Sequence, residues 1–505
     1  MRQPLFLFVL DTGDTEMVDR WVAEGRLPAI AELRSRGVWG RTGGPETVCE
    51  YGMGLTLFSG VSRRDHGYYY FRQLRPGSYD LQSSSRPPEV PPFWAGLRTT
   101  GERVFVVDVP DVRPVRGLPG LQLADWATHH GSENPPDAEP PELLERVRSV
   151  FGPRIVIHGQ PDRTPEEDRD ILARALDKIR RKGALCRRLL DDGPFDLIVI
   201  AFSETDLASH QFWRYRPERG ESGSPPELRH AIRDVYEAID AEIGGFLQDL
   251  PEANVFVLSL YGIQDQYPTS TLIESFLERL GYHVPGGGRG DGGGSRSRAL
   301  DLARAIVPEA VRRRISRRLP ATAQEELLAR KLKHGTDWSR TTAFAIPSLY
   351  TSFVRVNLAG REPNGIVGRG PEYAALLDRL EADLGKLTDA DTGEPAIERV
   401  ARTTDLFGGE PPDVLPDLFV EWKAGPRLMT RVLHPRAELH QHRPSYCPDS
   451  QEKLYGFVAG AGPDVPSAGD VGQIELLDLA PTFLSLLQRP APPEMRGRPM
   501  AALGG

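Results

Sequence analysis

Four short apolar runs constrain this chain more than any other feature. They are Leu5–Leu10 (LFLFVL), the segment 101–109 (GERVFVVDV), Asp196–Phe202 (DLIVIAF) and Asn254–Leu260 (NVFVLSL). Each is continuously apolar, so both faces of the strand need covering, as in a parallel sheet packed on both sides. Helical spacing separates them. Glu16–Gly25 places Met17, Trp21 and Val22 on one side, a second helix runs from Leu27-Pro28 to about Gly37, and 164–192 is a long charged amphipathic helix. Val38–Arg41 reads as a further strand. Strands alternating with helices predict an α/β fold, a doubly wound, mostly parallel sheet flanked by helices. Such sheets bind ligands beyond the carboxyl ends of their strands. Asp11, Asp206 and the Tyr261–Asp265 segment, read as a loop, all fall there.

The length of 505 residues allows two or three domains, or one large core with insertions. Residues 1–284 read as the first part of the core. Residues 285–340 begin with a glycine-rich linker (PGGGRGDGGGSRS, 285–297) and continue into a basic helical insertion carrying Arg312, Arg313, Arg314, Arg317 and Arg318. That face is either solvated or an anion-facing patch. Residues 341–505 read as the remainder of the core with an α+β cap segment, a helix at Pro371–Leu384 and a last helix near Leu476–Leu487.

The net charge of −9 gives no basic footprint for a nucleic-acid polymer, so the expected partner is a small anionic molecule held by local charges or a metal. Cys49, Cys186 and Cys447 are widely spaced and fit free thiols in the cytoplasm. The N-terminal MRQPLFLFVLD reads as a strand rather than a signal peptide, and no apolar stretch is long enough for a membrane span. Oligomeric state has no signature.

Within FSETDLASHQFW, Asp206 and His210 are four residues apart and share a face if that segment is helical. One carboxylate and one imidazole are ligands that Zn²⁺ and similar ions accept. Asp11 ends the first strand and is a second candidate ligand or a helix cap. His440 and His442 in ELHQHRP are a further ligand source or parts of a polar loop.

Several segments in order resemble the alkaline phosphatase superfamily, in its type I phosphodiesterase/nucleotide pyrophosphatase branch. They are DTGDTEMVDRWVAEGRLPAIAELRSRGVWGR, SGVSRRDHGYYYF with Ser59-Gly60 and His66-Gly67, VVDVPDVRPVRGLPGLQLADWATHH, FSETDLASHQFWRY, the DWSRTTAFAIPSLYTSFVRVNLAGREPNGIV stretch, and HQHRP with the later AGAGPDV. The resemblance implies an alkaline-phosphatase-like fold with inserted cap segments and a two-metal site. One metal is expected on Asp206, His210 and His442, with His440 as the rival. The second is expected on Asp11, a hydroxyl or modified cysteine nucleophile, and an Asp-His pair.

The chain departs from that pattern at one corner. Where the family has Ser-Asp-His-Gly, this chain has Ser259-Leu260-Tyr261-Gly262, leaving Gln264 or Asp265 as substitutes. The family's usual spacing before Gly60 arrives at Glu50 instead of a hydroxyl, with Cys49 and Thr47 close by. Thr47-Val-Cys-Glu50 also fits a helix capping box. The expectation is therefore a metal-dependent enzyme acting on a phosphate ester, phosphodiester, nucleotide or related activated ester, with about one Zn²⁺ or other divalent ion per chain and Glu50 or Thr47 at the catalytic position. The alternative is a catalytically degenerate protein that binds a metal or ligand. Arg361, in GREP, either contacts an anion or braces its loop.

Overall fold

The computed structural model describes residues 3–83, 88–128, 135–157, 163–219, 225–250, 252–286, 321–443 and 447–505. The arginine-rich stretch, and the linker from 287 onward, lie outside them. The chain forms two compact units: residues 1–68, 86–264 and 449–505, and residues 69–85 and 265–448. The expected boundaries at 284/285 and 340/341 both fall inside the second unit.

The first unit is built on the α/β sheet the apolar runs imply. Its strands lie in the order Gly469–Glu475, Val38–Gly43, Phe457–Ala461, Asn254–Asp265, Leu5–Thr12, Leu197–Phe202, Val104–Val107, Gly120–Ala124 and Asp137–Glu139, and Ser450–Lys453 also pairs with Asn254–Asp265. The centre is parallel: Leu5 faces Leu197 on one side and Asn254 on the other. Phe457–Ala461 runs antiparallel to both neighbours, and Asp137–Glu139 is an antiparallel edge.

The continuous apolar runs have a direct cause. Side chains alternate across a strand, so Phe6, Phe8 and Leu10 enter one core while Leu5, Leu7 and Val9 enter the other. Helices cover both faces. Thr15–Ala23 starts where the Asp14 carboxylate accepts from Met17 N at 3.0 Å. Pro28–Arg36 begins with proline, whose missing N–H costs nothing in a first turn. Pro165–Leu190 is capped by a reciprocal Thr164–Glu167 box.

The strand Asn254–Asp265 is longer than its sequence suggests. Tyr261–Asp265, expected as a loop, continues the strand, and Tyr261 pairs with Thr12. Gly13 is required beside it, because a Cβ there would lie 2.5 Å from Ser259 Cβ. Ser259 Oγ donates to Gly13 O at 3.0 Å and accepts from Phe457 N at 2.9 Å, so it ties three chain segments together.

The second unit has its own core and antiparallel sheets. One has the order Ala343–Ile346, Ser352–Val356, Leu418–Trp422, Ile397–Arg402; a smaller one joins Thr388–Asp389, Arg431–His434 and Ala437–His440. The helix Pro371–Leu384 forms as expected and contributes Leu376, Leu377 and Leu380 to this core. Arg361 is a brace: its guanidinium donates to both Asp417 carboxylate oxygens at 2.9 and 2.7 Å and to Val356 O at 2.8 Å. No helix among the described residues is long and apolar enough to cross a membrane.

Candidate metal and active site

The strand Leu197–Phe202 leads into the helix Glu204–Gln211, which places Asp206 and His210 on one face. Buried charges anchor that helix from below. Lys178 Nζ is 3.1 Å from Glu204 Oε1, Lys182 Nζ is 3.3 Å from Asp108 Oδ2, and all four side chains are fully buried. Lys182 also donates to Ala201 O at 2.8 Å. Burial on its own would lower the Lys182 pKa, but Glu204 and Asp108 outweigh it and raise it.

Asp206 Oδ1 accepts from Thr12 Oγ1 at 2.8 Å. His210 Nε2 is 3.5 Å from the same oxygen and 3.1 Å from Glu452 Oε1, and its Nδ1 meets Ser450 Oγ at 3.1 Å. One oxygen of Asp206, one nitrogen of His210 and one oxygen of Glu452 all lie within 4.8 Å of one another. This is the group of potential metal ligands found among the described residues. Burial opposes a charge on His210, yet the Asp206 and Glu452 carboxylates outweigh it and hold its pKa well above the usual histidine range. The excess negative potential that draws in a proton also suits a cation.

Glu452 was not foreseen. It belongs to the short strand Ser450–Lys453, held beside Asn254–Asp265, and no motif marks it. The two histidines expected to supply the third ligand belong to the other compact unit. His440 is exposed and lies 3.3 Å from Glu438, and His442 is exposed.

Glu50 lies close enough to Glu452 to feel its charge. Burial, then the Glu452 charge, push its pKa up to about 7, against the pull of Gln451 and Arg63. Its Oε2 is buried with no hydrogen-bond partner among the described residues. The capping box expected at Thr47–Glu50 does not form. That segment is a loop, and the next helix starts at Met53 after Gly52. The fully buried Arg63 explains why: it donates to Glu46 O at 3.0 Å, to Cys49 O at 3.1 Å and to Tyr51 O at 2.5 Å, taking carbonyls a helix would use itself. Thr47 donates to Gly44 O at 2.7 Å, and Cys49 Sγ lies 3.2 Å from Arg63. His66 is also part of this frame. Its Nδ1 accepts from Tyr68 N, so Nε2–H faces Thr56 Oγ1 at 3.1 Å, and burial with Arg63 pushes its pKa down to about 3.

Asp11 ends its strand buried, and Tyr261 Oη donates to Asp11 Oδ1 at 3.2 Å. Burial, with the charges of Asp11, Asp206 and Glu452, holds the phenol well above its usual pKa, so it stays protonated. Gln264 ends the first unit and Asp265 opens the second. A cavity of about 610 Å³ is lined by Asp11 together with Pro92, Arg98, Asp111, Arg113 and Asp125.

The sequence model of the type I phosphodiesterase / nucleotide pyrophosphatase family matches residues 5–345. The chain belongs to this family. Its architecture is that of the alkaline phosphatase superfamily. Phosphonoacetate hydrolase from Sinorhizobium meliloti 1021, solved with phosphonoacetate, is similar in fold at 13% identity, a TM-score of 0.52, and coverage of 96% of this chain and 95% of that one. Murine ectonucleotide pyrophosphatase / phosphodiesterase 5 aligns at 12% identity over 97% and 96% of the two chains, with a TM-score of 0.45. No curated protein matches the sequence.

Proposed function

We propose that this protein is a metal-dependent hydrolase of a small phosphate ester, phosphodiester or nucleotide, working with a single divalent cation, Zn²⁺ by ligand type. The observation that carries the reading is the convergence of Asp206, His210 and Glu452 within 4.8 Å in a member of a phosphodiesterase family. Two carboxylates and an imidazole suit Zn²⁺ and leave a position open. A cation held there supplies positive charge beside a phosphoryl oxygen.

The protein's own groups do the rest. Thr12 fixes Asp206, and Ser450 fixes the His210 ring. Glu50, with its pKa near 7, is suited to exchange a proton at neutral pH. In hydrolysis, Glu50 takes a proton from the attacking water as the new P–O bond forms. The bond to the leaving alkoxide breaks, and that proton is returned to it. Thr47 donates to Gly44 O and Cys49 Sγ lies against Arg63, which favours Glu50 at this position. The lack of a disulfide at Cys49, Cys186 and Cys447 among the described residues fits a cytoplasmic setting.

One observation favours a second reading, a metal- or ligand-binding protein without turnover: Leu260 and Tyr261 stand where the family pattern has an Asp-His pair. A panel of aryl phosphate mono- and diesters and sulfate esters, assayed with added Zn²⁺ on wild type and His210→Ala, separates the two. The enzyme reading expects turnover of at least one phosphate ester by wild type only. Equal, background rates across the panel would leave the binding reading.

A further inference from the structure

A phosphoryl group entering this site meets the carboxylates of Asp11, Glu50, Asp206 and Glu452. Its oxygens need hydrogen-bond donors that can turn toward them. Among the described side chains that meet there, Thr12 is spent on Asp206, and His210 on Ser450 and the acidic pair. Tyr261 is left. Its backbone is fixed: it pairs with Thr12 across the parallel strands, and its carbonyl accepts from Gly13 N at 2.7 Å. Its hydroxyl donates to Asp11, which also lines the cavity of about 610 Å³. The charges of Asp206 and Glu452 also act on the phenol, so it lies near the Asp206–His210–Glu452 group.

We propose that Tyr261 is a catalytic residue whose hydroxyl leaves Asp11 to donate a hydrogen bond to a phosphoryl oxygen of the substrate. This deepens the phosphate-ester reading and rests on it. A neutral donor adds no charge that would compete for the acidic ligands, yet it answers charge that grows in the transition state.

Orthovanadate, a mimic of the five-coordinate phosphoryl group, tests this without a known substrate. Binding is measured by calorimetry on Zn²⁺-loaded wild type and Tyr261→Phe, alongside Zn²⁺ stoichiometry and the melting curve. Removing one such donor typically costs about 100-fold. The expected result is vanadate binding weakened by about that factor in Tyr261→Phe, with Zn²⁺ content and a cooperative melt unchanged. Equal vanadate affinity would overturn the assignment. So would loss of Zn²⁺ from Tyr261→Phe, which would make the phenol a support for the metal site. Wild type that binds Zn²⁺ but no vanadate would defeat the phosphate-ester reading itself, and the role of Tyr261 with it.

Discussion

His210 Nε2 stands 3.1 Å from Glu452 Oε1 while its Nδ1 meets Ser450 Oγ, so one short strand touches both nitrogens of the ring. With a cation on Nε2, the other nitrogen carries the proton and donates to Ser450, fixing tautomer and orientation. Losing such a partner typically weakens metal binding about 10–100-fold. Ser450→Ala is expected to weaken Zn²⁺ binding within that range in a competition titration against a chromophoric chelator. An unchanged affinity would mean that Ser450 does not orient the ring.

Glu50 makes the stability of the cation-free protein depend on pH. Its pKa is raised by folding, from 4.5 to about 7. The folded state therefore holds the proton more tightly than the unfolded chain between those values. Stability contributed by the protonated group is full below pH 4.5 and declines as pH rises to about 7. Glu50→Gln cannot ionise, so its melting temperature should exceed that of wild type by more at pH 8 than at pH 5. Parallel melting curves across that range would show that Glu50 titrates normally.

Arg361 separates bracing from anion binding. Its side chain is buried against Asp417, which also accepts from Tyr373 Oη at 2.7 Å. Breaking one side of a buried pair commonly costs about 3–5 kcal/mol. Arg361→Met should lose stability on that scale in urea unfolding. Normal stability with a raised KM would instead point to contact with substrate.

The central strands were legible because they are buried on both faces, which writes itself as continuous apolar runs. The helix carrying Asp206 and His210 was legible because a strand leads straight into a segment with polar groups at helical spacing. Glu452 was not, since a single carboxylate in SQEK carries no periodicity and its partners are far away in sequence. The capping box that Thr47–Glu50 also fits does not form, because the decisive residue, Arg63, acts through backbone carbonyls that leave no pattern. His442 is marked by a motif, whereas Glu452, which meets His210, is marked by none.

The account rests on Glu452 completing a one-cation site, and metal content tests that most directly. Wild type, Glu452→Gln and His442→Ala are purified without added metal, loaded with Zn²⁺, desalted and measured by plasma mass spectrometry. The prediction is one ion per chain in wild type and His442→Ala, and a clear loss in Glu452→Gln. Two ions in wild type, or loss in His442→Ala with retention in Glu452→Gln, would contradict it.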